Sequence, residues 1–264
     1  KIKINTIGIK KNDLKVLNYE FLDQAQLLKI LYNKKIYKVK VPLIGSLQIK
    51  NIMMSVLAAK SVGIKFKNIM NSLEKLKPVD GRLEFVGAQR NNSKIIIDFA
   101  HTPHALEQTL LTIKDHFQNN ISLVFGCGGE RDIKKRSIMG KIAKKYCKKI
   151  YITDDNPRTE DAKIIRSMII SENKKIFKEI PSRKEAIDFA IKNLEQNEVL
   201  LVAGKGHEKF QDYGSYKVKF SDKDTIKNSI LKNKKYFRNY NWKFNIFKKT
   251  IKKNSFKKFT YKNL

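Results

Sequence analysis

Four short polar strings hold the side chains with the most chemical capacity in this 264-residue chain. They are Asp98-Phe99-Ala100-His101-Thr102-Pro103, Gly126-Cys127-Gly128-Gly129-Glu130-Arg131-Asp132, Asp154-Asp155-Asn156-Pro157-Arg158 and Gly204-Lys205-Gly206-His207-Glu208. Arg131 and Arg158 can each grip a carboxylate or phosphate with a forked pair of hydrogen bonds. Asp155 and Glu208 can accept hydrogen bonds from ammonium groups. A cleft carrying both signs suits a zwitterion such as an amino acid better than a simple anion. Each string also has a plain structural reading. Asp98 can cap the following helix, Asn156-Pro157 is a turn signal, and His207 has no identified carboxylate or nucleophile beside it. The glycine-rich string resembles a phosphate cradle, but Arg131 stands where a dinucleotide fingerprint has its third glycine, and no Lys-Ser/Thr closes it as a P-loop. Four histidines (His101, His104, His116 and His207) lack metal-site spacing, and no residue is assigned a catalytic or metal-ligating role.

The elements that position these strings follow from periodicity. Residues 1–44 read as short strands, with Tyr37, Val39 and Val41 alternating against Lys38 and Lys40. Two helices are predicted over 51–62 and 66–77, stopped by Gly63 and by Pro78. The Asp80-Gly81 turn marks a domain boundary. Beyond it strands and helices alternate: strand 95–97, a helix from Pro103 capped by Thr102, strand 121–125, helix 138–147, strand 149–153, helix 162–170, a helix opened by the Ser182-x-x-Glu185 capping box, and strand 199–203. Nearly continuous apolar strands in βα units imply a parallel sheet covered on both faces. The four polar strings then fall at the carboxyl ends of its strands, where open sheets of this kind bind ligands.

Composition bounds the rest. A 41% hydrophobic content can form a real core, and length alone fits about two domains. The net charge of +31 invites a nucleic-acid reading, yet 48 of the 56 cations are lysine and no recognition motif accompanies them. Residues 227–264 contribute 13 cations and no acids, leaving +18 on residues 1–226. That tail, set from residue 231 onward, interleaves lysine with aromatic residues and reads as a linker or fusion junction. No apolar run reaches the roughly 18–20 residues of a membrane span. Cys127 and Cys147 have neither disulfide-framework nor zinc spacing, which makes a reducing, cytoplasmic setting the default. Residue 1 is Lys, so the chain reads as a piece of a longer polypeptide.

Together the strings resemble the Mur ligase family, and within it the members that add diaminopimelate. The likeness runs over residues 4–230 and includes Pro42-Leu43-Ile44-Gly45 and Pro78-Val79-Asp80-Gly81-Arg82-Leu83-Glu84. It implies an α/β fold: the end of a central P-loop ATPase-type domain over 1–80, then a Rossmann-like, mostly parallel C-terminal sheet with helices on both faces over 81–230. It implies an ATP-dependent amide ligase of peptidoglycan synthesis that uses magnesium. In such enzymes ATP phosphorylates the D-glutamate side-chain carboxylate of UDP-N-acetylmuramoyl-L-alanyl-D-glutamate, and the amine of meso-2,6-diaminopimelate attacks the acyl phosphate. Carried over by motif, Arg131, Asp155, Asn156, Pro157, Arg158, Gly204 and Glu208 would bind diaminopimelate. Arg82 and Asp98, with His101, would reach the nucleotide.

The chain departs from the family pattern in three places. No Gly-x-x-x-x-Gly-Lys-Ser/Thr occurs in it, so this stretch alone is expected to be inactive. Gly45-Ser46-Leu47-Gln48 stands where the family has Gly-x-Phe-Asn, and the tail has no family counterpart. The rival readings are a related ligase that uses L-lysine or another amine, and a basic nucleic-acid-binding protein built on an inert ligase scaffold.

Overall fold

In the computed structural model, which describes residues 7–8, 14–170 and 176–232, the N-terminal alternation becomes a four-stranded sheet. Its strands are β1 (Ile7–Gly8), β2 (Leu14–Phe21), β3 (Gln26–Tyr32) and β4 (Lys35–Val41), antiparallel apart from the β1–β2 pair. Leu28, Ile30, Val39 and Val41 point to one face and are buried there by α1 (Ser46–Ser61) and α2 (Phe66–Leu73). α1 starts at Ser46 rather than Asn51: its first residues, Ser46, Leu47, Gln48, Ile49 and Lys50, alternate polar and apolar, a period that does not mark a helix face. α2 stops at Leu73, short of Pro78; Lys75 and Leu76 close a tighter turn onto Ser72 O and Leu73 O.

The second sheet has six strands in the order β5-β6-β10-β7-β8-β9. In chain order these are β5 (Glu84–Ala88), β6 (Lys94–Asp98), β7 (Ile121–Phe125), β8 (Lys149–Ile152), β9 (Phe177–Glu179) and β10 (Val199–Ala203). Every pairing is parallel except β5 with β6. The helices α3 (Pro103–Phe117), α4 (Lys134–Tyr146) and α5 (Ala162–Ile169) cover one face, and α6 (Arg183–Lys192) and α7 (Asp222–Lys232) cover the other. Side-chain alternation divides the strands between two cores: Val199, Leu201 and Ala203 of β10 face α3–α5, while Leu200 and Val202 face α6 and α7. Both faces are therefore apolar, and each buried Val, Leu or Ile is worth about 1.5–3 kcal/mol.

Local signals hold where they are chemical. Thr102 Oγ1 accepts from Ala105 N, and Ser182 Oγ from Glu185 N, as helix caps should. α4 begins at Lys134 rather than Ile138, again because its first turn is polar. The edge strands β5 and β9, the hairpin β11 (Phe210–Asp212) with β12 (Lys217–Lys219), and helix α7 were not predicted. α7 is anchored through Lys223, which pairs with Glu84 and, at 3.4 Å, with Asp80. The Lys/aromatic tail beyond residue 232 lies outside the described residues. No helix among the described residues is long and apolar enough to cross a membrane.

One buried histidine joins the two sheets. His116, near the end of α3, accepts from Gly45 N at Nδ1 (3.3 Å) and faces Leu22 O with Nε2 (2.8 Å). That pairing requires the neutral tautomer with the proton on Nε2. Phe21 packs on the ring at 4.5 Å, and Lys94 pairs with Asp23 at 3.2 Å beside it. Burial pushes the imidazole below its ordinary value of 6.5, although bonds to backbone acceptors oppose this. The unfolded chain therefore binds a proton that the folded chain refuses. The link's contribution is fully present above about pH 6.5 and is lost as pH falls below that value toward the lowered folded pKa. His116→Phe should cost about 1–3 kcal/mol at pH 7 by orphaning a buried donor and acceptor. Urea unfolding at pH 7 and 5.5 should show wild type losing more stability on acidification than the variant; equal losses would contradict this role.

Candidate functional site

The strand order places β6, β10, β7 and β8 side by side, so all four polar strings emerge at one sheet edge. β10 returns between β6 and β7, and the helices change face there, which makes a switch point with a crevice beyond the strand ends. The loops after β7 and β8 touch backbone to backbone, and the loop after β10 meets the β8 loop at the Asp155 side chain. Gly129 N donates to Asn156 O at 2.9 Å, and a Cβ on Gly129 would lie 2.0 Å from Pro157 O. Gly204, at φ +113°, would carry a Cβ 2.6 Å from Asp155 Oδ2. Only glycine allows either approach. The hairpin braces the β8 loop from outside: Asp212 N donates to Asn156 Oδ1 (3.0 Å), Arg158 N to Asp212 O (3.0 Å) and Gln211 Nε2 to Asp155 O (3.1 Å).

The predicted amino-acid contacts gather here rather than scattering. Gly128 lies between the two arginines, its would-be Cβ 3.0 Å from Arg158 Nη1 and 3.9 Å from Arg131 Cγ. Arg158, half-buried, donates Nη1 to Gly129 O at 2.6 Å; Arg131, exposed, donates Nη1 to Glu130 O at 3.2 Å. Neither uses Nε or Nη2 on an acceptor among the described residues, so each keeps donors for a carboxylate. Across the loop Asn156 Nδ2 donates to Glu208 Oε2 at 3.0 Å. Burial resists ionisation of Glu208, but donation from Lys205 and Asn156 outweighs it and holds the carboxyl below its usual range. Asp155 is buried, and burial pushes its carboxyl up although Arg183 and Lys205 pull the other way. Pro157 is buried and lends its carbonyl to the contact with Gly129.

The residues carried over as nucleotide contacts divide. Arg82 and His101 are exposed and flank Phe99: the guanidinium lies 4.6 Å from the ring centroid and the imidazole centroid 4.7 Å away. An exposed guanidinium on an aromatic face fits an anionic or planar group. Asp98 is buried and faces inward, accepting from Leu83 N and Ala100 N (both 2.8 Å) and from Thr109 Oγ1 (3.2 Å). It holds Leu83 at φ +44°; it does not cap the following helix, where Thr102 takes that place. His207 is exposed at 5.4 Å from Phe99, with no carboxylate on its ring. Among the described residues no three His, Cys, Asp or Glu side chains converge as a metal site. Burial pushes the Cys127 thiol up to about 12, which leaves it a neutral core residue.

Periodicity missed the cations beneath the site. Lys205 and Arg183 are fully buried, Arg136 likewise, and Asp222 closes onto Arg183 with two bonds of 2.8 Å. Arg136 pairs with Glu160 at 2.8 Å, and Glu160 also takes the Glu130 N–H, so the glycine-rich loop is held from below. A signal was present. Arg183 opens α6, and Lys134-Lys135-Arg136 open α4 with no acid in that turn, although a helix N-terminus disfavours cations. Gly129→Ala should separate the two loops. It should weaken carboxylate binding and cost about 1–3 kcal/mol of stability, read by calorimetry and thermal unfolding; full binding with unchanged stability would contradict the close packing.

Comparison with known proteins agrees with this geometry. Residues 81–206 match the family model described as Mur ligase, glutamate ligase domain. The chain is 42% identical over 232 residues to the UDP-N-acetylmuramoyl-L-alanyl-D-glutamate–2,6-diaminopimelate ligase of Rickettsia montanensis, covering 87% of this chain and 47% of that protein. It is 36% identical over 229 residues to the enzyme of that name from Agrobacterium fabrum, covering 87% and 47%. A solved structure of that name superposes with a TM-score of 0.67 at 28% identity, over 88% of this chain and 48% of the other. The chain thus spans about half the length of the relatives it matches. By its switched parallel sheet, its strand-end strings and its sequence, the part of the chain from residue 81 to 206 is a Mur ligase domain, of the kind described as the glutamate ligase domain.

Proposed function

We propose that this chain supplies the amino-acid-binding part of an ATP-dependent ligase that joins meso-2,6-diaminopimelate to UDP-N-acetylmuramoyl-L-alanyl-D-glutamate in peptidoglycan synthesis. Residues 81–230 would hold the amino acid, and residues 1–80 would complete a central nucleotide-binding domain. One observation carries this reading. Arg131 and Arg158 flank one side of a three-loop contact, and Glu208 and Asn156 bond to each other on the other side. Two guanidinium groups and a carboxylate suit an acceptor that has two carboxylates and two ammonium groups. The names of the relatives point to the same acceptor.

In this role the chain's own residues bind and orient. Arg131 and Arg158 would fix carboxylates, and Glu208 with Asn156 would hold the remote ammonium. The reacting amine then meets the precursor in one orientation, and the rate gain comes from lost rotational freedom. Arg82 and His101 would sit at the edge of the nucleotide. ATP, when bound, supplies the phosphoryl group that makes the precursor carboxylate an acyl donor. No step is assigned to a metal. The Gly-x-x-x-x-Gly-Lys-Ser/Thr loop expected to cradle the phosphates is not in these 264 residues. The free, buried cysteines fit a reducing, cytoplasmic setting.

L-Lysine as acceptor would leave one of the two arginines without a carboxylate. Calorimetric titration of the chain should therefore show meso-diaminopimelate binding more tightly than L-lysine. Arg158→Ala should weaken diaminopimelate by about 1.5–3 kcal/mol, roughly 10–150-fold, with little effect on lysine. Equal affinity for the two amino acids would sink this assignment.

A further inference from the structure

Lys205 lies inside the Gly204–Glu208 string yet is fully buried, so it cannot itself be a surface contact for ligand. Its Nζ donates to Asn156 Oδ1 and to Glu208 Oε2, each at 2.8 Å, and stands 3.9 Å from Asp155 Oδ1. Asp212 N occupies Asn156 Oδ1 from the other side. The amide can therefore lie only one way round, with Nδ2 toward Glu208. Glu208 meets both Lys205 and Asn156 through Oε2, and Oε1 accepts nothing from the described residues. Below lies Arg183, fully buried, bonded to Asp222 and to Ala203 O. Its Nη1 is buried with no hydrogen-bond partner and stands 3.9 Å from Asp155 Oδ2.

The cluster of Asp155, Glu208, Asp222, Lys205 and Arg183 thus sets three carboxyl groups against two cations. The partly exposed member is Glu208, so a further cation can be met there.

We propose that Lys205 is a positioning residue, which fixes Glu208 and Asn156 as a rigid acceptor for an ammonium remote from the α-centre and so makes the site selective for diamino acids. This rests on the function proposed above and deepens it. A buried lysine that hydrogen-bonds two ligand groups removes their rotamer freedom before ligand arrives. An aliphatic residue there would leave Asn156 Oδ1 held by Asp212 N alone and Glu208 free to swing outward.

The test compares meso-2,6-diaminopimelate with 2-aminopimelate, which keeps both carboxylates and lacks the second amine. Wild type should prefer the diamino acid by about tenfold or more. Lys205→Met, and Lys205→Gln beside it, should erase that preference while holding 2-aminopimelate affinity within about twofold of wild type. A merely structural lysine would weaken both ligands together, and that result would overturn the inference while leaving the proposed function standing. No binding of either ligand by wild type would overturn both. Nitrogen-detected NMR of the unmutated chain gives a readout independent of variant folding. The Lys205 ε-ammonium should exchange slowly with solvent, and a fast-exchanging, solvent-like ammonium would refute its buried double donation.

Discussion

Lys205 and Arg183 carry two full positive charges into the interior, where an unpaired ion costs several kcal/mol even after relaxation. The surrounding structure is arranged to prevent that cost. Asp222 must open α7 where it does to face Arg183, and Asp155 must turn inward from the β8 loop. Glu208 and Asn156 must close over Lys205. The contact of the β8 and β10 loops, the seating of α7 on the sheet and the direction of the polar groups at the rim all satisfy this one requirement. Hydrophobic burial holds the sheet together, but it does not specify which way these loops face.

Much of this was legible in sequence, for identifiable reasons. β7, interrupted only by Ser122, and β10 are apolar runs bounded by polar or glycine residues, and their limits match the residues expected. Thr102 and Ser182 are caps whose chemistry is local. The strings that meet at the sheet edge could be grouped because parallel strands all end on one side. Helix starts were less legible: α1 opens on residues 46–50, which alternate polar and apolar, and α4 opens on a polar turn with distant partners, so helical periodicity could not find them. The short strands β5 and β9 are specified by pairing with neighbours rather than by their own residues. Lys205 and Arg183 escaped for the converse reason. Their types promise exposure, and only the fold shows that both are buried.

Asp98 shows how one buried carboxylate can join several elements at once. Its carboxylate holds the backbone of Leu83 and Ala100 and the hydroxyl of Thr109, joining the turn that enters the second sheet to β6 and α3. Arg82, next to Leu83, is thereby placed over Phe99. An internal carboxylate thus fixes the backbone that presents an exposed guanidinium.

The clamp of Lys223 on Asp80 and Glu84 ties the last helix to the turn where the second sheet begins. The turn that enters this layer and the first turn of its last helix therefore meet at one corner. Loosening either one would loosen the other, so the first and last described elements of the layer open as a single unit.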